Sequence, residues 1–143
     1  MPRYRKNFRC EVITPDGRAF SGELAGAVFP APDGLVGVLG GRGPLVMLLG
    51  SGPLTVRDPS GTRSRYFVAG GFARFRDDCL TLLAGECMLI AEIDPEGAWE
   101  EIQQAQSMPA ETPAQIVRRD EALATARAKF NLAQKHRKEV EGL

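Results

Sequence analysis

The stretch GVLGGRGPLV, residues 37–46, sets Gly37, Gly40, Gly41 and Gly43 around Arg42, with Pro44 behind them. Closely spaced glycines can turn backbone N–H groups toward a phosphate, and an arginine can clamp it. This pattern stops short of that chemistry. A P-loop needs two glycines separated by four residues, then Lys and Ser/Thr at the start of a helix. No lysine follows Gly43, and Pro44 leads into an apolar run, Leu45 to Leu49. The dinucleotide fingerprint fails for the same reason, since no helical pattern comes next. The stretch therefore reads as a tight strand-to-strand turn at which only glycine fits, and it displays Arg42.

Other candidate groups are equally sparse. His136 is the only histidine and lies among Gln134, Lys135, Arg137 and Lys138. A histidine triad or a multi-histidine metal site is thereby removed, and His136 is expected to be exposed near a helix C-terminus. Asp77 and Asp78 look like a paired carboxylate, but a turn between strands accounts for them. Cys10, Cys79 and Cys87 show no metal or redox spacing. They are expected to be small buried hydrophobes in a reducing compartment. Nothing assembles an acid, a base and a nucleophile, so the chain is expected to be no enzyme by itself, with no metal and no cofactor.

The whole chain of 143 residues fits one ordinary domain, or a small domain with an appendage. Formal net charge is +0, so no strong field points to nucleic acid or an anionic membrane. The richest apolar stretch, Leu80 to Ile93, is broken by Glu86 and Glu92, well short of a membrane span. The N-terminus, Met1 to Lys6, is basic with no apolar segment behind it, unlike a secretory signal.

The two parts of the chain follow different patterns. Residues 1–93 hold 14 of the 16 glycines and 7 of the 10 prolines. Turn signals recur at Pro15–Gly17, Pro30–Gly34, Gly40–Pro44, Gly50–Pro53, Asp58–Gly61, Gly70–Gly71 and Arg76–Asp78. Between them the residues alternate: Phe8, Cys10 and Val12 against Arg9 and Glu11, Leu54 and Val56 against Thr55 and Arg57. Short alternating strands with regular turns predict a β-sandwich or barrel, and VRDPSGTRSRYFV predicts a hairpin with Asp58–Gly61 at its tip.

After Ile93 alanine replaces glycine. Asp94-Pro95-Glu96 is a helix start, with an N-cap carboxylate, proline at the first position and acid in the first turn. This helix is expected to end near Ser107. Thr112-Pro113-Ala114-Gln115 starts a second, with capping-box spacing, and nothing breaks it before about Glu141. Ile116, Leu123 and Phe130 recur every seven residues, with Ala126, Ala133 and Val140 as companions. The two helices should form an antiparallel hairpin whose alanine-rich seam holds weakly. Trp99 and Ile102 are expected to pack, and Arg127, Lys129, Lys135, Arg137 and Lys138 make the far end of the second helix basic.

The order of motifs carries a resemblance. VITPDGRAFSGE (12–23), PAPDGLVGVLGGRGPLV (30–46), VAGGFARF (68–75), LTLLAGECMLIAEID (80–94) and a helical hairpin resemble the epsilon subunit of bacterial F-type ATP synthases, counterpart of the mitochondrial delta subunit. The resemblance covers essentially the whole chain. It implies a flattened ten-stranded β-sandwich followed by a two-helix hairpin: residues 1–93 binding the gamma subunit and the c-ring, and residues 94–143 regulatory. It implies a non-catalytic central-stalk protein, peripheral on the cytoplasmic face of the bacterial plasma membrane and not inserted in it. When the hairpin extends, Arg127, Lys129, Lys135, Arg137 and Lys138 would meet an acidic segment of a beta subunit, against the beta and alpha subunits, and restrain ATP hydrolysis.

The resemblance also assigns contacts. Asp33, Gly34, Leu35, Gly41, Arg42 and Pro44 would face gamma and the ring. The family's GVLPGHAPL reads GVLGGRGPL in this chain, so Arg42 stands at the usual histidine and is the expected exposed contact. Leu35 replaces an acid found in many relatives, which removes an ionic contact there. Some members bind ATP through Ile-Asp-x-x-Arg-Ala plus arginines of the second helix. The corresponding positions are Ile93, Asp94, Ala98, Arg119 and Arg127, but Gly97 replaces the arginine. Losing that guanidinium removes a charge-assisted clamp on phosphate, so ATP is expected to bind weakly or not at all. The competing reading is a free-standing sandwich that binds a small ligand beneath a helical lid.

Overall fold

A computed structural model describes residues 6–142. The reading of the N-terminus rests mostly on Met1 to Arg5, which lie outside them. The chain divides into two units, the second beginning at Ile90.

The first unit runs β1 (Phe8–Thr14), β2 (Gly17–Leu24), β3 (Gly26–Ala31), β4 (Gly34–Val38), β5 (Leu45–Leu49), β6 (Gly52–Arg57), β7 (Arg63–Arg76) and β8 (Cys79–Leu89). β7 pairs with β6 through residues 63–68 and with β5 through residues 71–75. β8 pairs with β1 through residues 79–83 and follows β7 along most of its length. One layer is therefore β2, β1, the first half of β8, the second half of β7, and β5. The other is the second half of β8, the first half of β7, then β6, β3 and β4. The sandwich class expected from the alternation stands, but the described residues form eight continuous strands, not ten. The two long strands each serve both layers, so ten strand segments come from eight strands.

The change of layer falls at Gly70–Gly71, which is a bend inside β7 and not the turn that the sequence suggested. A Cβ on Gly71 would run into the Leu83 carbonyl, and one on Gly70 would sit 2.9 Å from the Leu49 carbonyl. Glycine pairs signal both turns and close backbone approach, and sequence alone does not separate them.

The core lies between the layers. Phe8, Cys10 and Val12 of β1 meet Phe29, Leu54, Val56 and Val68 of the other layer, with Phe75, Leu80 and Leu82 beside them. Phe8 and Phe75 pack edge to face, 5.7 Å between centroids. The β6–β7 hairpin is as expected: Asp58 Oδ1 accepts from Ser60 N (3.0 Å), Ser60 Oγ (2.6 Å) and Thr62 N (2.9 Å). The Ser60 hydroxyl, then backbone bonds from the same turn, hold the Asp58 carboxyl below its ordinary range. Asp77 and Asp78 have φ of 53° and 52°, the left-handed pair of a tight hairpin turn.

The second unit contains a 3-10 turn (Ile90–Glu92), α1 (Pro95–Gln106) and α2 (Pro113–Glu141). Asp94 caps α1 by accepting from Glu96 N at 3.2 Å. Thr112 and Gln115 close a reciprocal capping box at 3.1 and 3.2 Å. Ala98, Ile102 and Ala105 are buried on α1, and Ala126, Lys129 and Ala133 on α2. Of the heptad residues, Ala126 and Ala133 lie in this seam and Leu123 and Phe130 are half-buried, while Ile116 and Val140 are exposed. Length is the reason. At about 1.5 Å per residue, α1 spans roughly 18 Å and α2 roughly 43 Å, so both ends of α2 run past α1.

Candidate functional site

The six residues expected to face partners do not form one cluster. Asp33, Gly34 and Leu35 sit at the tip of the β3–β4 hairpin, where Ala31 pairs with Gly34. Gly34 has φ +144°, and Leu35 is exposed. Gly41, Arg42 and Pro44 lie in the β4–β5 loop. Gly34 and Leu35 open β4, and its remaining three residues, 36–38, carry the chain roughly 10 Å further before the loop begins.

The glycine loop is held by side chains and backbone from elsewhere in its unit. Gly41, at φ +83°, donates its N–H to Asp78 Oδ1 at 2.8 Å. Asp78 Oδ2 is 3.5 Å from Lys6 Nζ. A Cβ on Gly40 would collide with the Lys6 carbonyl, whereas Cβ atoms on Gly37 and Gly43 would meet nothing. Only Gly40 and Gly41 are therefore required to be glycine. Asp78, read from sequence as a turn residue alone, also fixes the loop that displays the exposed Arg42.

Sequence reasoning missed a row of exposed apolar side chains on the first unit. Leu48 of β5 pairs with Phe72 of β7, and Phe72 pairs with Leu83 of β8. Paired residues share a face, so the three side chains form one row on the outer side of their layer. Their relative exposures are 54%, 56% and 49%, and Val46, two residues along β5, is 72% exposed. Contiguous exposed apolar side chains of this kind mark interaction surfaces. The available signal was Val46 and Leu48 breaking the inside-outside alternation of β5.

In the second unit Arg127, Lys135, Arg137 and Lys138 are exposed as expected, and Arg137 Nε is 3.8 Å from Glu141 Oε1. Lys129 is not. It is 5% exposed, and its Nζ lies 3.0 Å from Glu101 Oε2 and 3.1 Å from Oε1. Its place in the seam, level with Glu101, draws it inward. Trp99 packs on Phe130 at 5.5 Å. His136 is half-buried instead of exposed.

The five positions considered for ATP are dispersed. Asp94 is occupied as the α1 cap, while Ile93 and Ala98 are buried. Arg119 pairs with Asp120 at 3.2 Å. It lies ten residues before Lys129, roughly 15 Å along α2 and away from the Asp94 end.

Among the described residues, no three His, Cys, Asp or Glu side chains group as metal ligands. No helix there is long and apolar enough to cross a membrane. Cys10 is buried, but Cys79 and Cys87 are only half-buried, and Cys87 packs against the edge of the core. Burial pushes the Cys10 thiol up to about 12 and that of Cys87 up to about 11.

Comparison with known proteins follows the same outline. The family model described as ATP synthase, Delta/Epsilon chain, beta-sandwich domain matches residues 7–90. The chain is 36% identical over 124 residues to an ATP synthase epsilon chain of Rhodopirellula baltica, covering 87% of this chain and 96% of that one. It is 38% identical over 96 residues to the ATP synthase epsilon chain of Myxococcus xanthus, covering 67% and 70%. Among solved structures, a chain of the Euglena gracilis mitochondrial ATP synthase superposes with TM-score 0.71 at 22% identity, covering 89% of this chain and 81% of that chain. A chain of the Tetrahymena thermophila mitochondrial ATP synthase central stalk and c-ring gives TM-score 0.66 at 11% identity, covering 92% and 99%. At these identities the two structures speak for the fold.

Proposed function

The chain belongs to the ATP synthase delta/epsilon chain family, and from that premise we propose how its surfaces are used. It is an epsilon chain, a non-catalytic subunit of the central stalk. The first unit docks on the gamma subunit and reaches the c-ring, coupling proton flow to ATP synthesis. The second unit regulates: its exposed Arg127, Lys135, Arg137 and Lys138 meet acidic surface of the alpha and beta subunits when the hairpin extends. The subunit is peripheral on the cytoplasmic face of the bacterial plasma membrane.

The observation that supports the docking role is the exposed row Leu48–Phe72–Leu83 with Val46 beside it. Four apolar side chains on one sheet face, continuous in sequence with the Gly40–Pro44 loop, suit a packed protein partner. The alanine seam supports the regulatory role. Ala98, Ala105, Ala126 and Ala133 bury little apolar area, so the hairpin separates at modest cost.

Two variants of the assembled complex test these assignments. Phe72→Glu places a charge in the row and should release the subunit from the stalk. Deleting residues 95–143 should leave it bound and raise ATP hydrolysis. Retention of the Phe72→Glu chain would refute the docking face, and unchanged hydrolysis on deletion would refute the regulatory role.

A further inference from the structure

On the outer side of the other layer, β3, β4 and β6 enclose a cavity of about 460 Å³. Gly26, Val28, Gly37 and Leu39 form its floor, and Thr55, Arg57 and Arg63 its rim. The floor is open because two of its positions are glycine. A Cβ on Gly37 would meet nothing, whereas one on Gly26 would stand 3.1 Å from Arg57 Nη2 and 3.5 Å from Leu39 Cδ2. The Arg57 guanidinium thus lies over bare backbone at Gly26, beside the Leu39 methyl, and that seat restricts its rotamers.

Arg57 and Arg63 are directly paired across the β6–β7 ladder. Like charges at opposed positions repel. Among the described residues neither side chain has an ion-pair partner. Asp58, which follows Arg57 in sequence, has Oδ1 engaged by Ser60 and Thr62 in its own turn. The sheet therefore holds two uncompensated guanidiniums at the mouth of an apolar hollow of ligand size.

We propose that this cavity is a binding site for an anionic amphiphile. A phosphate or carboxylate head bridges Arg57 and Arg63 through charge-assisted hydrogen bonds, and a short apolar tail lies over Gly37 between Val28 and Leu39. The head neutralises the repulsion between the arginines, and the tail covers apolar surface that is otherwise wet. The site is separate from the Leu48–Phe72–Leu83 row, so it stands independently of the stalk assignment.

The test titrates hexyl phosphate, inorganic phosphate and hexanol into the isotopically labelled full chain and follows backbone amides. Hexyl phosphate should give saturable shifts at Gly26, Gly37 and Thr55. Inorganic phosphate should bind there at least roughly tenfold more weakly, the factor that two buried methylenes supply. Hexanol should bind more weakly too. Arg57→Gln and Arg63→Gln should each lower hexyl phosphate affinity by roughly tenfold. Gly37→Leu, whose Cβ meets nothing within 4 Å, should fill the floor and reduce hexyl phosphate to the level of inorganic phosphate. Shifts elsewhere, equal binding of hexanol or of inorganic phosphate, or unchanged affinity in both arginine variants would overturn the proposal. Unperturbed amides outside the cavity establish that each variant is folded.

Discussion

Removing the two partners of the Lys129–Glu101 bridge should have unequal effects. Lys129 is 5% exposed and sits among the alanines of the seam, while the Glu101 side chain is 47% exposed. In Glu101→Gln the ammonium stays buried and loses the charge of Glu101. Full burial of an orphaned charge costs about 3–5 kcal/mol, and exposed pairs contribute about 0–1 kcal/mol. With one partner half in water, the cost should fall between, at about 1–2 kcal/mol. That multiplies the opening equilibrium of the hairpin by about 5–30. In Lys129→Met the charge disappears, the aliphatic stem is preserved in shape, and Glu101 rehydrates. The opening equilibrium should then stay within about threefold of the parent. Native-state amide exchange at Ala105 and Ala126 reads this directly, because both lie at the seam. If Lys129→Met opens the hairpin more than Glu101→Gln does, the reasoning from desolvation is wrong.

Other expectations concern the sandwich and its loops. Gly71→Ala drives a methyl into the Leu83 carbonyl at the layer change and should destabilise the first unit by about 3 kcal/mol or more, whereas Gly37→Ala should stay within about 0.5 kcal/mol, as thermal melts would report. Asp78→Ala removes the acceptor for Gly41 N–H and puts alanine at φ 52°, so exchange at the Gly41 amide should speed up. Asp78→Asn, which keeps an acceptor and tolerates that φ, should restore most of the protection. Cys10 and Cys87, with thiols near 12 and 11, should resist iodoacetamide at pH 8 in the folded chain and react in urea. As pH rises Cys87 should react before Cys10; prompt labelling of Cys10 at pH 8 would contradict its burial.

The legible parts of the sequence were those where local chemistry decides the outcome. Asp94 and Thr112 announced helix starts because a capping oxygen and a following proline act within one turn. Asp58–Gly61 announced a hairpin for a similar reason. Period-two alternation placed Phe8, Cys10 and Val12 inside. What escaped depends on contacts between distant residues. Gly70–Gly71 bends because β7 exchanges β6 for β5, a pairing that no local pattern encodes. Lys129 is buried because α1 brings Glu101 level with it across 28 positions. Asp78 reaches Gly41 across 37 positions. The Leu48–Phe72–Leu83 row exists only once three strands are in register. The resemblance assigns Asp33 and Arg42 to one partner-facing set, and only the strand pairing shows that β4 runs between them.

Docking of the first unit on the stalk is read out by retention from membranes. The full chain is immobilised, detergent-solubilised membranes of the source organism are passed over it, and the retained proteins are identified. A gamma-like coiled-coil subunit and a small ring-forming proteolipid should be retained, and both should be lost when Leu48 and Phe72 are changed to Glu. Retention of neither by the parent chain, or undiminished retention by the doubly charged one, would contradict that docking.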